Sequence, residues 1–167
     1  MLLVGGASTR FGSPKALATY GGETLAARAW RLLGEACDER VAVGKAADAL
    51  PLPFELLDDG SDVRAPIAGV VAGLRAASFD TCVMLPVDCP RIEAETLRLL
   101  GRERAVVQTG PLPGAYTKAM LPELERRLVE GRLSLRGVNP RVVEVDAGEL
   151  RDVDVPDDLR DELGDRA

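Results

Sequence analysis

The residues of this chain best suited to chemistry lie near its start, between positions 3 and 17. Gly5 and Gly6 follow an apolar run, and a glycine pair there lets the backbone turn sharply and present bare N–H groups to a ligand. Arg10 and Lys15 add two cations at the far end of the same segment. Amides followed by cations suit a phosphate chain, because they bind its oxygens and offset its charge. The segment is therefore predicted to be a nucleotide-binding loop.

Two familiar glycine-rich loops do not match this segment. A P-loop requires glycine directly followed by lysine and then serine or threonine, whereas Gly12 is followed by Ser13, Pro14 and Lys15. The dinucleotide-binding pattern is also absent, and no acidic residue ends a strand about twenty positions later. An ordinary glycine-containing turn between a strand and a helix remains the alternative. The paired cations favour the nucleotide-binding loop.

Carboxylates form the second candidate group, and they follow predicted strands. Asp88 comes after the apolar run 81–86, Asp58 ends an earlier strand, and Asp152 and Asp154 lie near the end of the chain. Ligands of open α/β sheets bind outside the carboxyl ends of the strands. Because Mg²⁺ takes one or two carboxylates together with phosphate oxygens, Asp88 is the predicted metal ligand. The alternative is that Asp88 caps the helix that follows it.

The amino-acid composition and net charge limit the catalytic groups and the partners that this chain can have. The chain has 167 residues, no histidine and a net charge of −6. Without histidine, catalysis must use carboxylates, cations and a hard metal ion. The acidic balance argues against nucleic acid as a partner. No segment has the form of a membrane span or a signal peptide, so a cytoplasmic protein is expected. Cys37, Cys82 and Cys89 match neither a disulfide framework nor a zinc site.

Apolar and amphipathic segments alternate along the chain, which predicts an α/β domain with a mostly parallel sheet. The length favours a single domain over residues 1–167. The first predicted strand, 1–4, is short, so we expect either a clipped strand or a natural N-terminus upstream of Met1. The other predicted strands are 40–44, 54–57, 81–86, 104–108, a short one after 111–116, and 142–145, and the predicted helices are 23–36, 66–77, 92–100, 118–130 and one starting at Pro156.

Four segments resemble motifs of the MobA-like nucleotidyltransferases. Residues 86–90 are similar to the metal motif P-x-D-x-P. Residues 65–69 are similar to G-P-L-A-G, with Ala65 in place of the first glycine, and residues 152–156 are similar to N-x-N-T-P, with aspartates in place of both asparagines. The signature loop L-A-G-G-x-S-x-R-M-G-x-x-K is matched by Leu3, Val4, Gly5, Gly6, Ser8, Arg10, Gly12 and Lys15.

The resemblance, which is greatest to guanylyltransferases of the molybdenum cofactor, implies a fold and a reaction. The implied fold is a single Rossmann-like three-layer domain of the nucleotide-diphospho-sugar transferase type. The implied reaction moves GMP from GTP to the terminal phosphate of molybdopterin, a phosphorylated pterin, with Mg²⁺ as cofactor and pyrophosphate as product. Gly5 points to GTP, because cytidylyl-transferring relatives tend to have alanine at this loop position. Other molybdenum cofactor assembly proteins are the implied transient partners.

The resemblance also assigns roles to residues. Arg10, Lys15 and Asp88 are the implied catalytic residues, and Asp88 and Asp154 are the implied metal ligands. Asp154 either holds the metal or caps the last helix. The resemblance implies that Asp58 contacts the guanosine part of the nucleotide, and Asp59 and Asp62 lie close enough in sequence to take this role instead. The residues implied to contact the nucleotide are Leu3, Val4, Gly5, Gly6, Ser8, Lys15, Asp58 and Asp88.

Several alternatives stay open. The loop also fits guanylyltransferases that act on cobinamide phosphate or phospholactate, and a cytidylyltransferase is a further possibility. A non-catalytic GTP-binding module in cofactor assembly would bind GTP without releasing pyrophosphate, and an unrelated glycine-rich α/β domain would do neither. The missing histidine favours transfer to a phosphate monoester, because that oxygen is already anionic near neutral pH and needs no general base.

Overall fold

Strands and helices alternate through most of the computed structural model, which describes residues 1–5 and 14–153. Three short 3₁₀ turns, Lys15–Leu17, Ala46–Asp48 and Lys118–Met120, join the longer elements. The last predicted helix, starting at Pro156, lies outside the described residues. The strands and helices are β1 (Leu2–Val4), β2 (Thr19–Tyr20), β3 (Glu23–Thr24), α1 (Leu25–Ala36), β4 (Ala42–Gly44), β5 (Leu56–Asp58), α2 (Pro66–Ala76), β6 (Thr81–Pro86), α3 (Ala94–Glu103), β7 (Val106–Val107), β8 (Gly114–Thr117), α4 (Leu121–Val129) and β9 (Val142–Val143).

A seven-stranded sheet runs through the centre in the order β5-β4-β1-β6-β8-β7-β9. β1 pairs in parallel with both β4 and β6, and β4 pairs in parallel with β5. β8 alone among the described strands of this sheet is antiparallel to its neighbours, and β9 is parallel to β7. The predicted mostly parallel sheet is confirmed. Its topology brings the carboxyl ends of β5, β4, β1 and β6 to one edge.

Helices cover both faces of the sheet and bury two apolar clusters. On one face, α1 and α3 pack against side chains such as Leu2 and Leu85. On the other face, α2 and α4 pack against side chains that include Leu3 and Met84. Successive residues of a strand point to opposite faces, so β1 contributes to both clusters although it has only three residues. The three-layer α/β architecture predicted from the sequence is confirmed.

The short first strand lies at the centre of the sheet. Its three residues are buried and paired on both sides. The ammonium group of Met1 is also buried, where it donates a hydrogen bond to the carbonyl of Val83 at 2.6 Å. Burial lowers the pKa of this ammonium group because desolvation disfavours its charged form. Pairing on both sides therefore holds in place the strand that leads into the first loop.

A small hairpin, β2–β3, precedes α1 and was not predicted. Its turn consists of Gly21 and Gly22 at φ of 59° and 89°, values that glycine adopts without steric cost. Two glycines between short strands are a known hairpin signal, so the sequence did contain it. Thr24 ends the hairpin and is the N-cap of α1, since its Oγ1 accepts a hydrogen bond from the amide of Ala27 at 3.2 Å.

The longest described helix, α1, has 12 residues. None of the described helices has both the length and the apolar character that crossing a membrane requires.

Candidate functional site

The candidate site lies at the sheet edge where β5, β4, β1 and β6 end. Asp58 is the last residue of β5, and Lys45 directly follows β4. Gly5 follows β1, and Asp88 lies two residues beyond β6. Because adjacent strands lie about 4.8 Å apart, the ends of β5 and β6 are separated by roughly 14 Å. The site therefore has two ends, one beside β4 and β5 and the other beside β6.

At the β6 end, Lys15 and Asp88 form an ion pair. The ammonium nitrogen of Lys15 lies 3.5 Å from Oδ2 of Asp88, and the two side chains are 17% and 31% exposed. A 3₁₀ turn that starts at Lys15 orients the lysine, and this turn is anchored by the buried side chain of Ala16. The sequence predicted both residues for the site, and the fold brings them together across 73 positions of the chain.

Backbone contacts fix the turn that carries Asp88. The amide of Val87 donates to the carbonyl of Leu3 at 3.3 Å, and the amide of Val153 donates to the carbonyl of Asp88 at 3.0 Å. From α1, Nε of Arg28 donates to the carbonyl of Pro90 at 2.5 Å. Three separate parts of the chain therefore hold this turn in position.

Asp88 does not cap the following helix. α3 begins at Ala94, and its N-cap residue is Glu93. The carboxylate that reaches this helix end belongs to Glu149, which accepts from the amide of Glu93 at 3.0 Å and from Oγ1 of Thr96 at 2.6 Å. The carboxylate that contacts the start of α3 is thus that of a residue distant in the sequence, and not that of Asp88. This leaves the Asp88 carboxylate beside Lys15.

Asp152 and Cys89 complete a small group of possible metal ligands with Asp88. One ligand atom from each of the three lies within 4.8 Å of the others. Sγ of Cys89 lies 3.4 Å from Oδ1 of Asp152. Burial raises the pKa of the Cys89 thiol, and the two neighbouring carboxylates raise it further, so the thiol stays protonated. Two carboxylates beside a neutral thiol form a donor set for a hard divalent cation rather than for zinc.

The other end of the site is a pocket between β1, β4 and the start of α2. It is lined by Leu3, Val4 and Gly5, which the sequence predicted to contact a nucleotide, and by the charged side chains of Lys45, Asp59 and Arg64. Arg64 is an exposed rim residue that pairs with Asp48 at 2.8 Å. The remaining lining residues are Val43, Gly44, Val63, Ala65, Pro66 and Gly69.

The Asp58 carboxylate stabilises the local backbone. Its Oδ2 accepts from the amide of Ala46 and its Oδ1 accepts from the amide of Gly60, each at 2.7 Å. The Gly60 hydrogen bond and then the Ala46 hydrogen bond lower the pKa of Asp58, because both favour its charged form. Asp58 is exposed, and the neighbouring Asp59 is the carboxylate that lines the pocket. A contact between Asp58 and a nucleotide stays a prediction.

Several predicted site residues lie outside the described part of the chain. They are Gly6, Ser8, Arg10 and Asp154.

Comparisons with known proteins agree with this arrangement. The model of the MobA-like NTP transferase domain matches residues 1–140. A probable molybdenum cofactor guanylyltransferase from Rhodopirellula baltica is 30% identical over an alignment of length 187, which covers 95% of this chain and 88% of the relative. Molybdopterin-guanine dinucleotide biosynthesis protein A from Archaeoglobus fulgidus has a TM-score of 0.78 at 23% identity, covering 96% of this chain and 94% of its own.

A further similar solved structure is a complex with manganese. It is Rv0371c from Mycobacterium tuberculosis H37Rv in complex with manganese, with a TM-score of 0.64 at 23% identity, covering 98% of this chain and 96% of its own. The match to the domain model extends from the first strand past α4, and the relative from Rhodopirellula baltica extends the similarity over nearly the whole chain. This chain therefore belongs to the MobA-like NTP transferase domain family and is a nucleotidyltransferase.

Proposed function

We propose that this chain is a molybdenum cofactor guanylyltransferase. It transfers GMP from GTP to the terminal phosphate of molybdopterin and releases pyrophosphate, with Mg²⁺ as cofactor. The observation that carries the proposal is the ion pair of Lys15 and Asp88, at 3.5 Å, beside Asp152 and at the same sheet edge as the pocket lined by Leu3, Val4 and Gly5. The name of the Rhodopirellula baltica relative supports the choice of acceptor and base.

On this proposal, the base of the nucleotide binds in the pocket beside β4 and β5. Its triphosphate extends along the first loop toward Lys15 and Asp88, at the β6 end of the site. A hypothetical Cβ at Gly5 would meet no atom of the described residues within 4 Å, so packing within the described part does not require glycine there. The residues assigned to the nucleotide are Leu3, Val4, Gly5, Gly6, Ser8, Lys15, Asp58 and Asp88.

The donor set near Asp88 fits a hard divalent cation. Asp88 is the first assigned ligand, and the segment at the end of the chain supplies the second through Asp152, which lies in the described part, or Asp154. A Mg²⁺ ion held by these carboxylates would supply positive charge that offsets the negative charge of the phosphates. The manganese complex of Rv0371c supports a divalent cation in this fold.

The chain's own residues then have a simple catalytic task. The acceptor phosphate oxygen is already anionic, so no side chain needs to remove a proton. This oxygen forms a bond to the α-phosphorus of GTP while the bond between the α-phosphorus and the bridging oxygen breaks, and pyrophosphate leaves with that electron pair. Lys15 and Arg10 offset the developing negative charge, and the first loop aligns the reacting groups.

The reaction is tested by measuring pyrophosphate release from each of the four nucleoside triphosphates with Mg²⁺ and a set of phosphorylated acceptors. We expect release only with GTP and molybdopterin together. Release with cobinamide phosphate or phospholactate would instead assign one of those acceptors. Preference for CTP would indicate a cytidylyltransferase, and GTP binding without release would indicate a non-catalytic module.

The catalytic assignment predicts that Lys15→Ala and Asp88→Asn each lower kcat by about 10²- to 10³-fold, because each removes a charge that acts on the transferring phosphates. Steady-state kinetics of pyrophosphate release measures this loss. Asp80→Asn is the matched control, because Asp80 is an exposed aspartate at the opposite end of β6 and should leave kcat unchanged. Near-normal turnover of either site variant would contradict the assignment.

A further inference from the structure

The turn that carries Asp88 lies between two regular elements. It spans residues 87–93, after β6 ends at Pro86 and before α3 begins at Ala94. Its position therefore depends on contacts from other parts of the chain. Arg28, the fourth residue of α1, supplies one of them, because its Nε donates to the carbonyl of Pro90 at 2.5 Å. A helix side chain is thus bonded to the backbone two residues after Asp88.

The Arg28 side chain is held in one orientation by the hairpin β2–β3. Its Nη1 lies 3.4 Å from Oε1 of Glu23, and only 25% of the side chain is exposed. The guanidinium carbon lies over the ring of Tyr20, 5.3 Å from the ring centre. A planar guanidinium that contacts a carboxylate, an aromatic ring and a carbonyl keeps little rotational freedom. Arg28 therefore joins the hairpin, α1 and the Asp88 turn.

The start of α1 also holds the turn that carries Lys15. The amide of Leu25 donates to the carbonyl of Ala18 at 2.8 Å, and the amide of Ala18 donates to the carbonyl of Lys15 at 2.9 Å. Ala16 and Leu25 are buried in the same apolar cluster. The first four residues of α1 thus contact the turns of both members of the ion pair. Because a helix positions side chains more precisely than a loop does, α1 sets the separation of Lys15 and Asp88.

We propose that Arg28 is a positioning residue for the transfer reaction. Its hydrogen bond to Pro90 holds the Asp88 carboxylate at the distance from Lys15 that the reaction needs. This inference rests on the proposed function, since it assumes that Lys15 and Asp88 act on the transferring phosphates. Arg28 itself needs no contact with a substrate. A displacement of about 1 Å in a catalytic site can lower the rate by about 10²-fold, so a bond remote from the reacting atoms can matter.

Two substitutions of Arg28 separate positioning from a purely structural role. A structural role through the Glu23 ion pair depends on the charge of Arg28, whereas positioning depends on the donor at Nε. Glutamine has no charge, but its amide nitrogen lies as many bonds from Cα as Nε of arginine does, so it can still donate to Pro90. Methionine has a methyl carbon at that point and therefore no donor.

Steady-state kinetics of pyrophosphate release at saturating Mg²⁺ tests the inference. We expect Arg28→Met to lower kcat by about 10- to 100-fold, the usual effect of losing a contact that orients a metal ligand. KM for GTP should stay within about 2-fold, because the contacts that bind the nucleotide remain. Arg28→Gln should keep kcat within about 3-fold of the unmodified protein. A near-normal kcat of Arg28→Met, or an equal loss in Arg28→Gln, would overturn the inference.

Cation binding gives a second readout that needs no turnover. Binding of Mn²⁺ to the protein alone is measured by electron paramagnetic resonance. We expect the Kd for Mn²⁺ to rise about 10-fold in Arg28→Met, because the Asp88 carboxylate is no longer held in place. Arg28→Gln should bind Mn²⁺ as the unmodified protein does. An unchanged Kd in a folded Arg28→Met protein, verified by circular dichroism, would overturn the inference.

Arg31→Met is the matched control. Arg31 lies on the same helix and pairs with the same Glu23, at 2.8 Å, but its side chain is 48% exposed. Its substitution should leave kcat and the Kd for Mn²⁺ unchanged, and losses equal to those of Arg28→Met would overturn the inference. If Arg28→Met does not fold, Arg28→Gln decides, since near-normal turnover supports the inference and a loss of about 10-fold or more overturns it.

Asp88→Asn separates failure of this inference from failure of the proposed function. Near-normal turnover of Asp88→Asn would contradict the proposed function and remove the basis of the inference with it. A large loss of kcat in Asp88→Asn together with a near-normal kcat in Arg28→Met would contradict the positioning role of Arg28 alone.

Discussion

Asp58 and Asp59 are adjacent in the chain but face different surroundings. Asp58 is exposed, and its carboxylate accepts hydrogen bonds from two backbone amides, that of Ala46 after β4 and that of Gly60 after β5. The side chain of Asp59 is only 6% exposed and pairs with Lys45 in the pocket. Successive side chains of extended backbone point in opposite directions, so only one of two neighbouring carboxylates can line the pocket. A motif match therefore does not by itself decide which of two neighbouring carboxylates, Asp58 or Asp59, faces the pocket.

The Asp58 hydrogen bonds predict a pH-dependent contribution to stability. The folded-state pKa of Asp58 lies below the ordinary value of 3.8, because two amides favour the ionised form. Its contribution is thus present above pH 3.8 and is lost as the pH falls through the lower folded-state pKa. Asp58→Asn should lower the free energy of unfolding at pH 7, and the difference from the unmodified protein should shrink below pH 3.8. Urea unfolding at both pH values measures it, and a constant difference would contradict the prediction.

At the scale of elements, the junctions between strands and loops are adapted to the site. α2 begins with Pro66 after Ala65, which has an extended backbone at φ −141° and needs no glycine there. Alanine therefore substitutes for the family's glycine without strain. β4 ends at Gly44, which allows β1 and β4 to approach closely while Lys45 enters the pocket.

Replacing Gly44 or Gly73 with alanine should change the free energy of unfolding by very different amounts. Gly44→Ala should lower the free energy of unfolding by about 1–3 kcal/mol, because its Cβ would overlap a backbone oxygen that cannot move without separating two central strands. Gly73→Ala in α2 should change it by less than about 1 kcal/mol. There the Cβ meets the flexible side chain of Met1, and alanine is the better helix former. Urea unfolding of both variants measures the contrast, and equal losses would contradict this explanation.

At the scale of the whole molecule, the proposed nucleotide spans four strand ends in the central sheet. It would contact loops after β5, β4, β1 and β6, which lie in three widely separated parts of the chain. A ligand that binds only this assembled edge stabilises the folded state and has no comparable site on the unfolded chain. Binding should therefore be visible in global unfolding.

Thermal unfolding with Mg²⁺ and GTP measures this coupling. At a GTP concentration about 100 times its Kd, the free energy of unfolding should rise by about 2.7 kcal/mol. For a chain of this size, that corresponds to an increase in Tm of about 5–11 °C. Mg²⁺ alone and CTP at the same concentration are the controls, and both should shift Tm far less. An equal shift with CTP would contradict guanine selection.

By itself the sequence determined the α/β class, the strand β6, the Pro66 start of α2, and the family motifs around Lys15 and Asp88. These features depend on local apolar patterns and local backbone preferences, which are readable over a few residues. Only the tertiary structure decided that Glu149 contacts the start of α3, that Asp152 lies beside Asp88, and that Asp59 pairs with Lys45 in the pocket. Those contacts join residues 14 to 64 positions apart, so they depend on strand order and on the direction of each side chain, neither of which a local pattern encodes.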